Sequence, residues 1–158
     1  MHKSKTLAVV LGVTMVSACS GGKPAADTVD VAAIEAAAHG GYVAAINSND
    51  TEKLKSVLTD DVVYQAPGAP ELIGKAAVGA WIADYFATYQ AKWDKTSHGF
   101  TVSGDWAFER YTYKAVETDR KTGAVITDVG KGINIYHKDP DGQWRIAVDG
   151  WSSDKPAG

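Results

Sequence analysis

The segment GKGINIYHKDPDGQWRIAVDGW, residues 130–151, decides the fold. Its centre, residues 139–142, has the composition of a tight turn, because proline presets φ, aspartate forms local hydrogen bonds and glycine accepts a positive φ. The flanking runs are rich in Ile, Tyr, Trp and Val, which favour a pleated, half-buried surface. The segment therefore predicts a β-hairpin with two long strands.

Alternation of side chains divides this hairpin into two faces. One face has only apolar members, which are Ile133, Ile135, Trp144, Ile146 and Val148. The other face mixes aromatic and polar groups, which are Asn134, Tyr136, Ala147, Asp149 and Trp151. The apolar face predicts packing against another surface, and the mixed face is a candidate wall of a pocket.

Helical spacing dominates the chain before the strands begin. Residues 31–48 and 75–90 repeat apolar side chains at i, i+3, i+4 and i+7, and a short helix is predicted from Thr51. Asp30 and Asp50 directly precede the first two helices. Their short carboxylates predict N-caps, since they can accept hydrogen bonds from the free N–H groups of the first turn.

Strand patterns dominate after residue 98, and one short strand is predicted earlier at 62–64. Residues 100–102 form a brief strand pattern, and residues 106–116 alternate between two faces. A strand from residue 124 then leads into the hairpin. Helices followed by an antiparallel meander predict an α+β fold, with three N-terminal helices packed on one face of a curved antiparallel sheet.

The apolar face of the hairpin then lies on the side of the sheet that the helices leave open. An exposed apolar surface of this size usually marks an interface. We therefore expect a homodimer through this face.

The N-terminal residues have the pattern of an export signal. Lys3 and Lys5 precede an apolar run, residues 7–16, which is too short to cross a bilayer. The following Val16-Ser17-Ala18-Cys19 resembles a bacterial lipoprotein signal. That resemblance implies cleavage after residue 18, lipidation of Cys19, a tether over residues 19–28 and anchoring at the periplasmic side of a bacterial cell envelope membrane. An ordinary secretory signal with an incidental cysteine is the alternative, and both imply export.

Composition limits what the remaining chain can do. Residues 29–153 suffice for one domain, and the polar residues 154–158 predict a disordered tail. Without residues 1–18 the chain has 14 basic and 19 acidic residues, a formal charge of −5, and no basic run, so nucleic-acid binding is not expected. Cys19 is the only cysteine. The histidines are scattered and there is no phosphate-binding loop, so no metal or cofactor is expected.

Several short pieces occur in an order that identifies a family. They are residues 42–47 through Asp50, residues 60–62, Gly74, residues 104–107 and residues 141–146. Together they resemble the nuclear-transport-factor-2-like superfamily, and within it the SnoaL-like and ketosteroid isomerase-like domains, over residues 29–153. The resemblance implies a cone-shaped sheet wrapped around three helices, with a pocket between them. The superfamily contains isomerases, cyclases, dehydratases, hydrolases and proteins that only bind or assemble, so the fold does not fix the function.

The comparison with steroid isomerases argues against their reaction. That chemistry needs a carboxylate base and two hydrogen-bond donors for a dienolate. The resemblance places the donor tyrosine at Tyr42, the protonated acid near Asn134, and the base at Ala66, before Pro67. Alanine cannot accept a proton, and a shift by one residue puts Gln65 there, which is not a base either.

Alternation also indicates which side chains face the cone. Glu109 shares a face with Tyr111 and Tyr113, and Asp149 shares one with Trp151. Carboxylates beside aromatic rings lose hydration and their pKa rises, so Glu109 and Asp149 are candidate catalytic acids or bases. The alternatives are a surface ion pair for Glu109 and a backbone hydrogen bond for Asp149. The candidate ligand-binding residues are Tyr42, Trp81, Tyr85, Tyr111, Asn134, Tyr136 and Trp151; for Trp81 and Tyr85, core packing is the alternative.

Three functional hypotheses follow. The first is a lipid-anchored protein that binds a small apolar or amphipathic molecule in an aromatic pocket. The second is a cofactor-independent isomerase, hydrolase or dehydratase that uses Asp149 or Glu109 as its acid or base. The third is a module that interacts with another envelope protein.

Overall fold

The computed structural model describes residues 29–155. The predicted signal peptide, Cys19, the whole tether and residues 156–158 of the predicted tail lie outside these residues. Three helices are present: α1 Val31–Asn47, α2 Thr51–Ser56 and α3 Lys75–Thr88. The six strands described are β1 Leu58–Gln65, β2 Leu72–Ile73, β3 Tyr89–Ser103, β4 Trp106–Asp119, β5 Val125–Lys138 and β6 Trp144–Ser153. No helix in this part of the chain is both long and apolar enough to cross a bilayer.

The strands form one sheet in the order β2-β1-β6-β5-β4-β3. All neighbours are antiparallel except β1 and β6, which run parallel. The helices cover one face, and the core between them is centred on side chains with no exposed surface, namely Leu58, Val62, Val78, Ile82 and Ile146. The predicted α+β fold is confirmed, and the parallel β1–β6 pair is an addition to it.

The predicted caps and turn form as their chemistry requires. The Asp30 carboxylate accepts a hydrogen bond from the Ala33 N–H at 3.0 Å, and the Asp50 carboxylate accepts from the first-turn N–H groups of α2. In the hairpin turn, Gly142 has φ 82° and its N–H donates to the Asp139 carbonyl at 2.8 Å. Local sequence therefore determines where these elements begin and end.

The prediction for residues 89–98 was wrong. We expected α3 to reach residue 90 and a strand to begin only at 100, but α3 ends at Thr88 and β3 runs from Tyr89 to Ser103. Asn47 is the last residue of α1, and Asn49 lies two residues further on. The side chain of each exchanges two hydrogen bonds with the β3 backbone, Asn47 at Trp93 and Asn49 at Ala91, over 2.7–2.9 Å. These long-range contacts stabilise the first half of β3, and no local sequence pattern reports them.

The predicted faces of the hairpin also need correction. Ile135 pairs with Val148 but Tyr136 pairs with Ile146, so Ala147 is an extra residue in β6. Because of this bulge, the side chains of the residues before Ala147 lie on the face of the sheet opposite to the one that simple alternation predicts. Ile146 is fully buried on the helix side and Trp144 packs against the same core, whereas we expected both on the outer face. The outer apolar patch is therefore formed by Trp106, Phe108, Ile133, Ile135 and Val148.

Two glycines of β5 leave room for tyrosine side chains of β4 to pass over that strand. Tyr111 lies opposite Gly132, and Tyr113 lies opposite Gly130. A Cβ at Gly132 would overlap the Tyr111 ring and hydroxyl and would lie 2.6 Å from the Gly150 carbonyl oxygen. The absent side chain lets the Tyr111 hydroxyl reach Asp149 on β6, at 2.8 Å.

Alanine substitutions at two glycines should therefore have opposite effects on the free energy of unfolding. Gly132→Ala should lower it by about 1–3 kcal/mol, because the new methyl group displaces Tyr111. Gly41→Ala is the matched control, because a Cβ at Gly41 in α1 meets nothing within 4 Å, and it should raise stability by up to about 1 kcal/mol. Urea unfolding measures both, and equal effects of the two substitutions would contradict this account.

Candidate functional site

A cavity of about 370 Å³ opens between the helices and the inner face of the sheet. Its walls are mainly aromatic, with Tyr64, Trp81, Tyr85, Phe86, Trp93 and Trp151. The Trp81 and Tyr85 rings stack, with their centres 5.4 Å apart and their planes 4° from parallel. Tyr85 is held in place because its hydroxyl donates to Glu117 at 2.5 Å and accepts from the Trp93 indole N–H at 3.1 Å. We call this space the inner cavity.

A second concave surface, of about 740 Å³, lies on the opposite face of the sheet around Ile133, Ile135 and Val148. It is larger, but the buried charged side chains Asp149 and Lys95 do not line it. The inner cavity combines apolar walls with buried polar groups, which is the usual character of a small-molecule site. We therefore take the inner cavity as the candidate functional site.

The polar end of the inner cavity is built around the buried carboxylate of Asp149. Its Oδ2 accepts a hydrogen bond from the Tyr42 hydroxyl at 2.5 Å. Its Oδ1 accepts from the Tyr111 hydroxyl at 2.8 Å and from the Asn134 amide at 2.7 Å. A carboxylate has about four acceptor positions. Three are occupied by protein donors, and one remains on Oδ2.

The direction of the hydrogen bond between Tyr42 and Tyr64 follows from this arrangement. The two hydroxyl oxygens are 2.8 Å apart. Tyr42 has a single hydroxyl proton and donates it to Asp149, so Tyr64 must donate to Tyr42. The Tyr64 oxygen, at the cavity wall, keeps its acceptor capacity. The polar end of the cavity therefore presents acceptors at Tyr64 and Asp149.

Burial is the first reason that these tyrosines stay protonated. It raises the pKa of Tyr42, Tyr64 and Tyr111 above the ordinary value, and the negative charge of Asp149 raises each pKa further. At neutral pH all three hydroxyls therefore remain hydrogen-bond donors.

Lys95, on β3, places a positive charge beside Asp149 in the cavity, and Lys155 also lines the cavity. Its ammonium donates to the Asn134 amide oxygen at 2.9 Å, so Asn134 links Lys95 to Asp149. The same nitrogen lies 3.6 Å from the centre of the Tyr111 ring and 4.6 Å from that of Tyr42, a cation–π arrangement. Burial lowers the pKa of Lys95, and the charges of Asp149 and Glu109 offset only part of that effect.

Glu109 forms a separate buried cluster. Its two oxygens bond His39 at 2.5 Å and Tyr136 at 2.6 Å, and only 1% of its surface is exposed. Burial by itself would raise the pKa of Glu109, but the hydrogen bonds from His39 and Tyr136 outweigh it and the pKa lies below the usual value. Neither Glu109 nor Tyr136 is among the residues that line the inner cavity.

The structure brings most of the predicted residues together, in two groups. Five of them line the inner cavity: Tyr42, Trp81, Tyr85, Asp149 and Trp151. Tyr111 and Asn134 lie behind Asp149 and hold it, while Glu109 and Tyr136 join His39. Ala66, to which the resemblance assigns the position of the steroid isomerase base, also lines the cavity. Gln65 belongs instead to the opposite concave surface.

Tyr64, Trp93 and Lys95 are among the cavity residues that sequence reasoning missed. Tyr64 shares a face with buried Val62 in the predicted strand 62–64, and this parity was the available signal. Trp93 and Lys95 lie in the part of β3 that we did not predict. Within residues 29–155, no group of three or more acidic, histidine or cysteine side chains is placed to hold a metal ion.

This fold with its inner cavity defines a nuclear-transport-factor-2-like domain. The chain belongs to the SnoaL-like domain family, whose model matches residues 40–147. It is similar to the structure of a ketosteroid isomerase-like protein from Erwinia carotovora atroseptica SCRI1043, at 29% identity and a TM-score of 0.72, over 81% of this chain and 98% of that one.

Two further structures support the fold alone. One is an NTF2-like protein with a cystatin-like fold from Novosphingobium aromaticivorans, at 20% identity and a TM-score of 0.64, over 80% of this chain and 84% of that one. The other is an NTF2-like superfamily protein from Salmonella enterica serovar Typhimurium LT2, at 17% identity and a TM-score of 0.63, over 77% and 89%. No protein with a curated description matches this chain.

The Glu109 cluster predicts a pH dependence of stability. Because the folded-state pKa of Glu109 is lowered, its hydrogen bonds stabilise the fold fully above the ordinary glutamate value of 4.5, and this contribution is lost as the pH falls below it. Glu109→Gln should lower the free energy of unfolding at pH 7 by about 1–3 kcal/mol. It should also make the loss of stability in acid shallower.

Denaturant unfolding between neutral and acidic pH measures both effects. Glu52→Gln is the control, because the Glu52 side chain is exposed and its ion pair with Lys55 lies on the surface of α2. That variant should keep the wild-type acid profile. An unchanged profile in Glu109→Gln would show that Glu109 is not a source of the acid sensitivity.

Proposed function

We propose that this domain binds a small aromatic or amphipathic molecule that carries a hydrogen-bond donor. The observation that carries the proposal is the polarity of the inner cavity, where Tyr64 and Asp149 offer acceptors. Tyr42, which would have to stabilise an oxyanion in an isomerase, already donates to Asp149 at 2.5 Å. An alcohol, phenol or amine group supplies a donor to Tyr64 and Asp149, whereas a group that can only accept leaves these two acceptors unsatisfied.

The dimensions and walls of the inner cavity support a ligand of this class. A volume of about 370 Å³ lies in the range of small-molecule sites. The stacked Trp81 and Tyr85 offer a flat apolar surface on one side, and Trp151 closes another. A planar ring system can therefore leave water while its polar group remains hydrogen-bonded.

Catalysis by Asp149 is the second candidate function. It is favoured by the one acceptor position left on Oδ2, at the cavity wall, from which a carboxylate can take a proton from a bound molecule. The similarity to a ketosteroid isomerase-like protein also supports an isomerase type of reaction. Under this hypothesis Asp149→Asn abolishes turnover of a bound ligand. Glu109 contributes no cavity surface and is the weaker candidate.

We also propose that the protein is an exported lipoprotein, anchored through Cys19 at the periplasmic side of the cell envelope. This part rests on the sequence pattern of residues 1–19. The interaction-module hypothesis, in which a different envelope protein covers the outer apolar patch, likewise depends on this export.

Binding of three matched probes tests the proposed ligand class. A naphthol should bind at least about tenfold more tightly than its methyl ether or naphthalene, because only the naphthol donates a hydrogen bond to this site. The fluorescence of the cavity tryptophans, or calorimetry, reports the affinity. Equal affinities for all three probes, or binding of none, would contradict the proposal.

Two tyrosine variants locate the acceptor. Tyr64→Phe should weaken naphthol binding by about fivefold and leave naphthalene unaffected, because it removes the hydroxyl at the cavity wall. Tyr85→Phe makes the same chemical change in the same cavity, but its hydroxyl is engaged with Glu117, so the preference for naphthol should persist. Identical losses in both variants would argue against Tyr64 as the acceptor.

Homodimerisation through the outer apolar patch is a separate proposal with its own test. Ile133 is 54% exposed and Phe108 44% exposed on this patch, which is unusual for large apolar side chains. Light scattering should give a dimer for the wild type and a monomer for Ile133→Lys. Ile73→Lys is the control, because Ile73 is also exposed but lies on β2, three strands from β5. A monomeric wild type would exclude the homodimer and favour another partner.

A further inference from the structure

Lys95 is a buried amine at the wall of the inner cavity, and no part of the binding proposal above requires it. It is 7% exposed, and it lines the cavity together with Asp149 and Trp93. Buried lysines are rare, because removing an ammonium from water is costly unless a carboxylate compensates. The contacts of the Lys95 nitrogen therefore decide whether its charge is compensated.

The compensation that Lys95 receives is incomplete. Its one hydrogen-bond acceptor is the neutral amide oxygen of Asn134, at 2.9 Å. Among residues 29–155, no carboxylate lies within ion-pair distance of its nitrogen. Asp149 is reached only through Asn134, and the Tyr111 and Tyr42 rings supply the remaining contacts. Such surroundings favour the neutral amine more than water does.

We propose that Lys95 is a nucleophilic amine that forms an imine with an aldehyde or ketone bound in the inner cavity. Amines held in apolar pockets are activated for this reaction, because the free lone pair is available at neutral pH. The position of Lys95 beside Asp149 favours reaction with an uncharged electrophile. The nearby charge of Asp149 repels a carboxylate ligand but not a carbonyl group, and the aromatic walls bind the apolar part of the molecule.

The reaction balances with the carbonyl compound and water alone. The ammonium of Lys95 first releases a proton to water, and the nitrogen lone pair forms a bond to the carbonyl carbon. The carbonyl π electrons move to oxygen, which takes up a proton, while the nitrogen loses one, giving a carbinolamine. The hydroxyl group then leaves as water with a proton from the medium, and loss of the last N–H proton yields the neutral imine. No oxidant, reductant or metal takes part.

Reductive trapping tests this proposal directly. The protein is incubated at neutral pH with a naphthaldehyde and cyanoborohydride, and the modified lysines are found by peptide mass spectrometry. Lys95 should carry at least about tenfold more adduct than Lys92. Lys92 is the matched internal control, because it is an exposed lysine on the same strand.

A variant and a second aldehyde separate cavity chemistry from general lysine reactivity. Lys95→Arg keeps a positive charge, and it should remove the major adduct and leave labelling of Lys92 unchanged. A small hydrophilic aldehyde should reverse the preference, since it gains nothing from the aromatic walls. Adducts confined to exposed lysines, with Lys95 unmodified, would overturn the proposal, as would equal preference for both aldehydes.

The trapping experiment and the naphthol titration test separate proposals, and either proposal can be refuted without the other. The imine proposal relies on the inner cavity as a ligand site but not on the hydrogen-bond preference. Naphthol binding with Lys95 unlabelled would overturn the imine proposal alone. Selective labelling of Lys95 without any preference for naphthol would overturn the proposed donor selectivity alone.

Discussion

The buried carboxylate of Asp149 is the constraint on which the rest of the structure depends. An ion removed from water costs several kcal/mol unless hydrogen bonds replace its hydration. Its three donors come from three different elements: Tyr42 from α1, Tyr111 from β4 and Asn134 from β5. The two carboxylate oxygens therefore fix both the position of α1 on the sheet and the register of β4, β5 and β6.

The same carboxylate orders the charges around it. Asn134 has its nitrogen towards Asp149 and its oxygen towards Lys95. The reverse orientation would point donors at an ammonium and an acceptor at a carboxylate, so both charges hold the amide in one state. Glu109 is satisfied separately by His39 and Tyr136. Lys95 is thereby left with only a neutral hydrogen-bond partner beside the cavity.

Much of the fold and part of the site followed from sequence because the deciding interactions were local. Alternation along residues 106–116 correctly placed Glu109 and Tyr111 on the inner face, and the caps at Asp30 and Asp50 formed as expected. Features that depend on contacts between distant parts of the chain were not predicted. The bulge at Ala147 depends on the register with β5, and the first half of β3 depends on Asn47 and Asn49. For this reason Ile146 was assigned to the wrong face and Lys95 was not recognised.

The site also shows why likeness to steroid isomerases constrains shape more than chemistry. Their reaction needs donors at the polar end of the cavity and a base opposite. Here the resemblance assigns the base position to Ala66, and the Tyr42 proton is committed to Asp149. Between its aromatic walls the cavity thus presents acceptors at Tyr64 and Asp149, where that reaction needs donors. An accepting carbonyl placed against Tyr64 and Asp149 would leave both without a donor, so a carbonyl ligand of this cavity has to direct its oxygen elsewhere, as the reaction proposed at Lys95 requires.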